Sequence, residues 1–233
     1  MKSALDFSRF RIITFDCYGT LIDWESGIFS AIRPILSFHK AELSDVELLQ
    51  LYGELEAESE SAGFRPYREV LSGVIRGFGT RFGFRATQEE QQSLPNSLAH
   101  WKPFPDTVAA LHRLNTQFKL GIISNVDDDL FSATARRLET DFDCVITAGQ
   151  ARAYKPALEI FQLAQTRMGA SVENWLHAGQ SIYHDVVPAK ALGISSAWVN
   201  RPSIRPGAGA AKQASAEPDL EVKSLQELAD LLA

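Results

Sequence analysis

Five short apolar runs, each ending on polar residues, constrain the fold of this chain more than any other feature. They are residues 11–16 (RIITFD), 119–125 (KLGIISN), 144–149 (CVITAG), 175–180 (WLHAGQ) and 195–200 (SSAWVN). Each is rich in Ile, Val, Thr or aromatic residues and is bounded by turn formers. Continuous apolar runs of this length suit strands buried on both faces of a parallel sheet. Between them lie segments with helical spacing. Residues 105–117 place Val108, Leu111 and Leu114 three apart, and residues 128–138, 156–168 and the shorter 183–192 behave similarly. Strands alternating with helices make βαβ units, so the expected fold is α/β, a doubly wound parallel, Rossmann-like sheet.

One stretch breaks the alternation. Residues 21–102 hold no convincing strand, only helical patterns such as 45–59 (DVELLQLYGELEAES) and 67–82 (YREVLSGVIRGFGTRF). This reads as a helical cap inserted after the first strand. The chain then divides into a core of residues 1–20 and 103–233 and a cap of residues 21–102. An insertion at a strand's carboxyl end sits above the place where open α/β sheets bind ligands. Residues 201–218, rich in Ala, Gly, Pro and Ser, read as a surface loop. Residues 221–233 read as a last short strand and a closing helix, with Leu225, Leu228 and Leu232 on one face.

Charge narrows the partners. The 233-residue chain carries a net charge of −6, which argues against broad binding to nucleic acid or to an anionic membrane. A small anionic substrate stays open, because one local Lys or Arg can hold a carboxylate. Two cysteines, Cys17 and Cys144, are too few for a disulfide framework and lack metal-ligand spacing, so both read as buried free thiols. No apolar run approaches the ~20 residues that span a bilayer. Residues 1–10 show no signal-like apolar core. The expectation is a cytoplasmic protein.

Four strand ends carry polar residues out of keeping with the runs before them. Asp16 closes the first run, followed by Tyr18, Gly19 and Thr20; an aspartate there needs a cleft or a partner, or forms a plain Asx-turn. Ser124 and Asn125 close the second, as ligands for an anion or as a helix cap. Asp127, Asp128 and Asp129 then read as charges suited to a helix N-terminus. Lys155 precedes Pro156, which suits a first helical turn; a lysine there either faces an anion or is solvated. Gly179, Gln180, Ser181 and Asp185 follow the fourth run, with Asp185 in the first turn of a helix. One parallel sheet brings all four ends to the same edge, so an aspartate, hydroxyls, a lysine and a second aspartate converge.

In order and spacing, Asp16-x-Tyr18-Gly19-Thr20, Ser124-Asn125, Lys155-Pro156 and Gly179-x-Ser181-x-x-x-Asp185 resemble the motifs of the haloacid dehalogenase superfamily. The resemblance implies that Asp16 is a covalent nucleophile kept ionised by Lys155. It implies that Thr20, Ser124 and Asn125 orient carboxylates and stabilise charge, and that Asp185 positions or activates water. Tyr18 and Ser181 would contact substrate. Two departures set the subtype. Phosphatases of the superfamily carry a second aspartate where Tyr18 stands, and an acid that helps hold Mg²⁺ where Gln180 stands. Their loss points to the metal-free 2-haloacid dehalogenase subgroup, with no cofactor; Mg²⁺ belongs only to the phosphatase alternative. The runs FDCYGTLIDWESGI and SIYHDVVPA look closer to a sister branch that includes a hydrolase opening the ring of azetidine-2-carboxylate, where His184 or Tyr183 could assist.

The expected substrate is therefore a small 2-substituted carboxylic acid. The alternatives are C–N hydrolysis, a small-molecule phosphatase, and a catalytically silent binding protein on the same fold. Arg65 and Arg68, flanking Tyr67 in the insertion, are the candidate cations for the substrate carboxylate, or else surface arginines. Trp24 and Trp101 sit near the two hinge crossings and could wall the pocket. The five histidines form no metal-ligand pattern. A homodimer formed through the cap is a further expectation.

Overall fold

The computed structural model describes residues 5–61 and 63–233. Its centre is a six-stranded parallel sheet in the order β3-β2-β1-β4-β5-β6. The strands are β1 (Ile12–Phe15), β2 (Lys119–Ser124), β3 (Cys144–Thr147), β4 (Trp175–Gly179), β5 (Ser195–Val199) and β6 (Leu220–Val222). All five apolar runs are strands. They are apolar at successive positions because both sheet faces are covered. Ile13 and Phe15 enter one core cluster, whereas Ile12 enters the cluster on the other face. Ile122 and Ile123 split the same way.

The helices are α1 (Trp24–Phe38), α2 (Asp45–Ser61), α3 (Tyr67–Phe82), α4 (Gln88–Ser97), α5 (Thr107–Asn115), α6 (Asp128–Leu138), α7 (Ala148–Ala151), α8 (Leu158–Met168), α9 (Val187–Ala191) and α10 (Leu225–Leu232). Helices α1 to α4 form the excursion between β1 and α5. The chain leaves and returns through one crossing, where Asp23 N–H donates to Lys102 O at 2.8 Å and Phe104 N–H to Leu21 O at 3.0 Å. Apolar packing then runs unbroken from Phe15 and Leu21 into Leu48, Val70 and Leu94 of the excursion.

Three readings of the sequence change here. Residues 201–218 are not a simple surface loop: Arg201, Ala208, Ala210 and Ala211 are buried. A Cβ on Gly53 of α2 would lie 2.4 Å from Ala210 O, so the loop packs hard against that helix. Arg201 is also tied inward, to Asp106 at 2.8 Å and to Thr20 O at 3.0 Å. Pro156 does not open a helix; the Lys155–Pro156 peptide is cis and α8 begins at Leu158.

The aspartates after β2 do more than suit their own helix. Asp127 accepts the N–H groups of Tyr67 and Arg68, each at 2.9 Å, and so caps α3 from across the molecule. Asp128 accepts from Thr147 at 2.9 Å, and Asp129 pairs with Arg68 at 2.8 Å. The first turn of α3 has orphan donors, and Pro66 at its N-cap offers no side-chain acceptor. Asp127→Ala is expected to lower stability by about 0.5–2 kcal/mol, the usual cost of a lost N-cap. Equilibrium urea unfolding measures this, and an unchanged midpoint would show that the contact contributes nothing.

Candidate active site

The sheet order reverses between β1 and β4, and ligands in open α/β sheets bind in the crevice outside the strand ends at such a point. Phe15 is in register with Ile122 of β2 and Ala178 of β4. The next residue, Asp16, therefore reaches the carboxyl edge between Ser124 and Gln180. Gly19, with φ +93, turns the chain back at once, and a Cβ there would lie 2.8 Å from the Trp24 ring. A Cβ on Gly179 would lie 2.3 Å from the Asp185 carboxylate, so glycine lets that carboxylate approach the strand end.

Lys155 is the hub. It is 2 % exposed, and its ammonium donates to Asp16 Oδ1 at 2.8 Å, Asp185 Oδ1 at 2.7 Å and Ile123 O at 2.9 Å. An ammonium has three N–H groups, so all of them are engaged by the protein. Burial works against the charge, but Asp16 and Asp185 outweigh it and hold the Lys155 pKa above the ordinary lysine value. Asn125 clamps the lysine's backbone, accepting from Lys155 N at 2.7 Å and donating to Lys155 O at 3.2 Å. The sequence reading had Asn125 orient carboxylates and stabilise charge; in the structure its amide brackets the Lys155 backbone while still lining the cleft.

Thr20 donates to Asp16 Oδ2 at 2.8 Å and accepts from Gln180 N at 2.8 Å. Each Asp16 oxygen thus has a donor. Burial nevertheless raises the Asp16 pKa; Lys155 opposes this and Asp185 adds to it. Asp185 goes the other way. Burial disfavours its charge, but Lys155 and then His177 hold its carboxyl well below the usual range. Its Oδ2 accepts from Ser181 N at 3.0 Å and its Oδ1 faces His177 Nε2 at 3.3 Å. Asp185 was expected to position or activate water. With both oxygens engaged and a depressed pKa, it suits orienting Lys155 better than taking a proton.

Residues 182–186 form a π-helical turn that places Asp185, with Ser181 Oγ accepting from His184 N at 3.0 Å. Ser181 lines the cleft, but its hydroxyl belongs to that turn. Burial pulls the His184 pKa down to about 4, so the ring is neutral at neutral pH. Tyr18 lines the cleft with its ring, edge-on to Trp101 at 5.8 Å, while its hydroxyl is 2.8 Å from Thr134 Oγ1. Trp24 and Trp101 both wall the cleft.

Arg65 and Arg68 do not reach this cleft. Arg68 spans Asn96 and Asp129 on the surface, and Arg65 offers its backbone carbonyl to Tyr154. The excursion instead contributes Tyr52, Glu56, Glu60 and Tyr67. None was singled out from the sequence. Glu56 was legible in part: Leu48, Tyr52 and Glu56 fall four apart on α2, so an acid lies on the buried stripe. His177 was also missed, although a histidine within an apolar strand and in register with Thr14 is unusual. Trp175 donates to Thr14 Oγ1, which hydrogen-bonds His177 Nδ1, both at 2.8 Å, and His177 turns Nε2 to Asp185.

A parallel α/β sheet that presents an aspartate, a threonine and a buried lysine at its switch point defines a hydrolase class with a carboxylate at its centre. The sequence model of the haloacid dehalogenase-like hydrolases matches residues 10–193, and the chain belongs to that family. It is 26 % identical over 226 residues to an (S)-2-haloacid dehalogenase of Pseudomonas putida, covering 94 % of this chain and 95 % of that one. An (S)-2-haloacid dehalogenase of Pseudomonas fluorescens is 27 % identical over 221 residues, covering 94 % of each. The fold is shared with the L-2-haloacid dehalogenase of Xanthobacter autotrophicus, solved with chloropropionic acid covalently bound. That likeness has a TM-score of 0.78 at 21 % identity, over 96 % of this chain and 98 % of that one. Among the described residues no helix is long and apolar enough to cross a membrane.

Proposed function

We propose that the protein hydrolyses the bond between C2 of a small 2-substituted carboxylic acid and its leaving group, through an ester on Asp16. A carboxylate oxygen of Asp16 attacks C2, and the electrons of the breaking bond depart with the leaving group. Water then adds to the Asp16 side-chain carbonyl carbon. The acyl–oxygen bond breaks, the 2-hydroxy acid leaves with one proton from that water, the other proton passes to solvent, and Asp16 keeps the water's oxygen. Thr20 and Lys155 donate to the carboxylate oxygens throughout, stabilising charge as it builds on the ester. Ser124 Oγ, buried in the cleft without a partner among the described residues, can donate to the substrate carboxylate.

The observation that carries this reading is the state of Tyr18. It occupies the place of a general acid beside Asp16, yet burial pushes its phenol pKa well above the ordinary value and its hydroxyl is bound to Thr134. The group beside the nucleophile therefore holds its proton. The leaving group must depart unprotonated, as a halide does, or bring its own proton, as an ammonium does. Tyr18→Phe is accordingly expected to keep kcat within roughly threefold, with a stability loss of about 0.5–1.5 kcal/mol for the Thr134 hydrogen bond. A steady-state assay checks the first figure, and a fall of several orders of magnitude would restore Tyr18 as an acid.

A metal-dependent phosphatase fits these residues poorly. Among the described residues no three His, Cys, Asp or Glu side chains converge as ligands. The two carboxylates that do converge, Asp16 and Asp185, are bridged by Lys155. The deciding experiment uses 2-chloropropionate in ¹⁸O-water with excess enzyme over several turnovers, followed by mass analysis of the peptide containing Asp16. The reading predicts ¹⁸O in that carboxyl group and halide release that persists in EDTA. Label confined to the product of an active enzyme, or Mg²⁺-dependent phosphate release from a phosphate ester, would defeat it.

A further inference from the structure

Water that attacks an ester on Asp16 must shed a proton as it adds, and a base held within hydrogen-bond reach speeds that step. The polar groups at the sheet edge do not suit the task. Lys155 has its N–H groups engaged and keeps its charge. Asp185 has both oxygens engaged and a carboxyl held well below the usual range. His184 lines the cleft, but burial brings its pKa down to about 4, which makes the neutral ring a weak base.

The helical excursion supplies what the sheet edge lacks. Glu56 is 6 % exposed and lines the same cleft as Asp16. Tyr52 and Tyr67 donate to its Oε1 at 2.9 and 2.5 Å. Burial pushes both phenols well above their ordinary value, so they keep their protons and serve as donors. They pin one oxygen of Glu56. No described residue donates to the other, Oε2, which leaves it for a water. Folding gives no reason to bury an acid on the apolar stripe of α2, where a hydrocarbon side chain would avoid the cost of desolvation.

The ionisable groups around Glu56 are Tyr52 and Glu60 from α2, Tyr67 from α3, Tyr154 from the loop before α8, and Asp16 from the end of β1. Burial raises the Glu56 pKa; the tyrosine bonds oppose this, and the Asp16 charge adds to it. A carboxylate raised in this way is a better base than an ordinary one. The contribution from Asp16 is conditional. Its charge disappears when it becomes an ester, so Glu56 ionises more readily as the water step begins.

We propose that Glu56 is the general base of ester hydrolysis, taking one proton from the attacking water and returning it to the departing oxygen of the 2-hydroxy acid. The proposal rests on the ester at Asp16 and adds the group that moves the proton. As the water's oxygen bonds to the Asp16 carbonyl carbon, one proton passes to Glu56. When the acyl–oxygen bond breaks, its electron pair goes to the 2-oxygen of the product, which takes that proton back from Glu56. The remaining proton of the water leaves the Asp16 carboxyl for solvent, and both carboxylates are restored.

The test separates the two steps. The full chain, in excess, is mixed with 2-chloropropionate and quenched at intervals. Chloride reports ester formation and lactate reports its hydrolysis. Glu56→Gln keeps an acceptor for both tyrosines and should retain the melting temperature. Its chloride release should stay within roughly threefold of wild type, while lactate release falls at least ~100-fold. The ester then accumulates on the peptide containing Asp16, where mass analysis detects it. In the wild type the hydrolysis rate should fall as acidification protonates Glu56. Glu56→Gln should lose that dependence, and Glu56→Asp should keep it at a lower rate. Undiminished lactate release by folded Glu56→Gln, or an equal fall in both steps, overturns the proposal. So does a wild-type hydrolysis rate that does not change with pH, a result that needs no variant. Label in Asp16 from ¹⁸O-water with undiminished hydrolysis in Glu56→Gln sinks only the role of Glu56. Absence of any ester on Asp16 in a wild type that releases chloride sinks the covalent step and the base with it.

Discussion

Asp16→Asn is expected to reduce turnover at least about 10⁴-fold, as removal of a covalent nucleophile does, while leaving the fold intact. The amide keeps the shape and its one oxygen can still accept from Thr20 or from Lys155, but it cannot attack carbon. Stability should move the other way. Burial raises the pKa of Asp16, so its ionised form is disfavoured in the folded protein. A group with a raised folded pKa contributes stability below its unfolded pKa and loses that contribution as pH rises through the folded one. At neutral pH the wild type should therefore be no more stable than the variant, and it should gain on the variant as pH falls into the carboxylate range. Urea unfolding of both proteins between pH 4 and pH 8 measures this. A variant much less stable at neutral pH would mean that the carboxylate holds the fold together rather than serving chemistry at its expense.

The second large effect belongs to Lys155→Met. It removes the cation between two buried carboxylates, and breaking a buried pair by deleting one partner costs about 3–5 kcal/mol. Activity should fall below detection, because Asp16 loses the charge that opposes its protonation. The pH dependence has a definite sign. Lys155 depresses Asp185, which therefore contributes stability above its unfolded pKa and loses it as pH falls. Without the lysine both carboxylates take up protons readily on acidification, so the variant recovers. The gap between wild type and variant should be widest near pH 8 and narrow towards pH 4. A gap independent of pH would indicate lost packing of the lysine stem instead.

The cluster at the sheet edge was largely legible because its residues follow recognisable strands. Asp16 and Ser124 stand out as polar residues ending apolar runs, Lys155 lies in the loop between α7 and α8 beyond the third run, and a parallel sheet brings such ends to one edge. Roles within the site were less legible. Asn125 was read as orienting carboxylates and Asp185 as positioning or activating water, and only distances show that both also hold Lys155. The substrate end was hardly legible at all. Arg65 and Arg68 were natural candidates by charge, yet Arg68 is drawn to Asp129, a partner 61 positions away. Glu56 reads as one acid among several in DVELLQLYGELEAES until its burial between Tyr52 and Tyr67 is seen.

What the sequence determined by itself is the sheet, its parallel sense, the helical excursion after β1 and the placing of Asp16 at the sheet's carboxyl edge. These follow from local periodicity and from which residue types tolerate a buried strand, and such information lies within a few neighbouring positions. What only the tertiary structure decided is which charges face one another. Coulomb and hydrogen-bond energies depend on separation in space, and the contacts around Lys155 join residues from 30 to 139 positions apart. Lys155 meets Asp16 over 139 positions. No local pattern encodes that distance, so the acidic character of the cleft emerged only once the chain was folded.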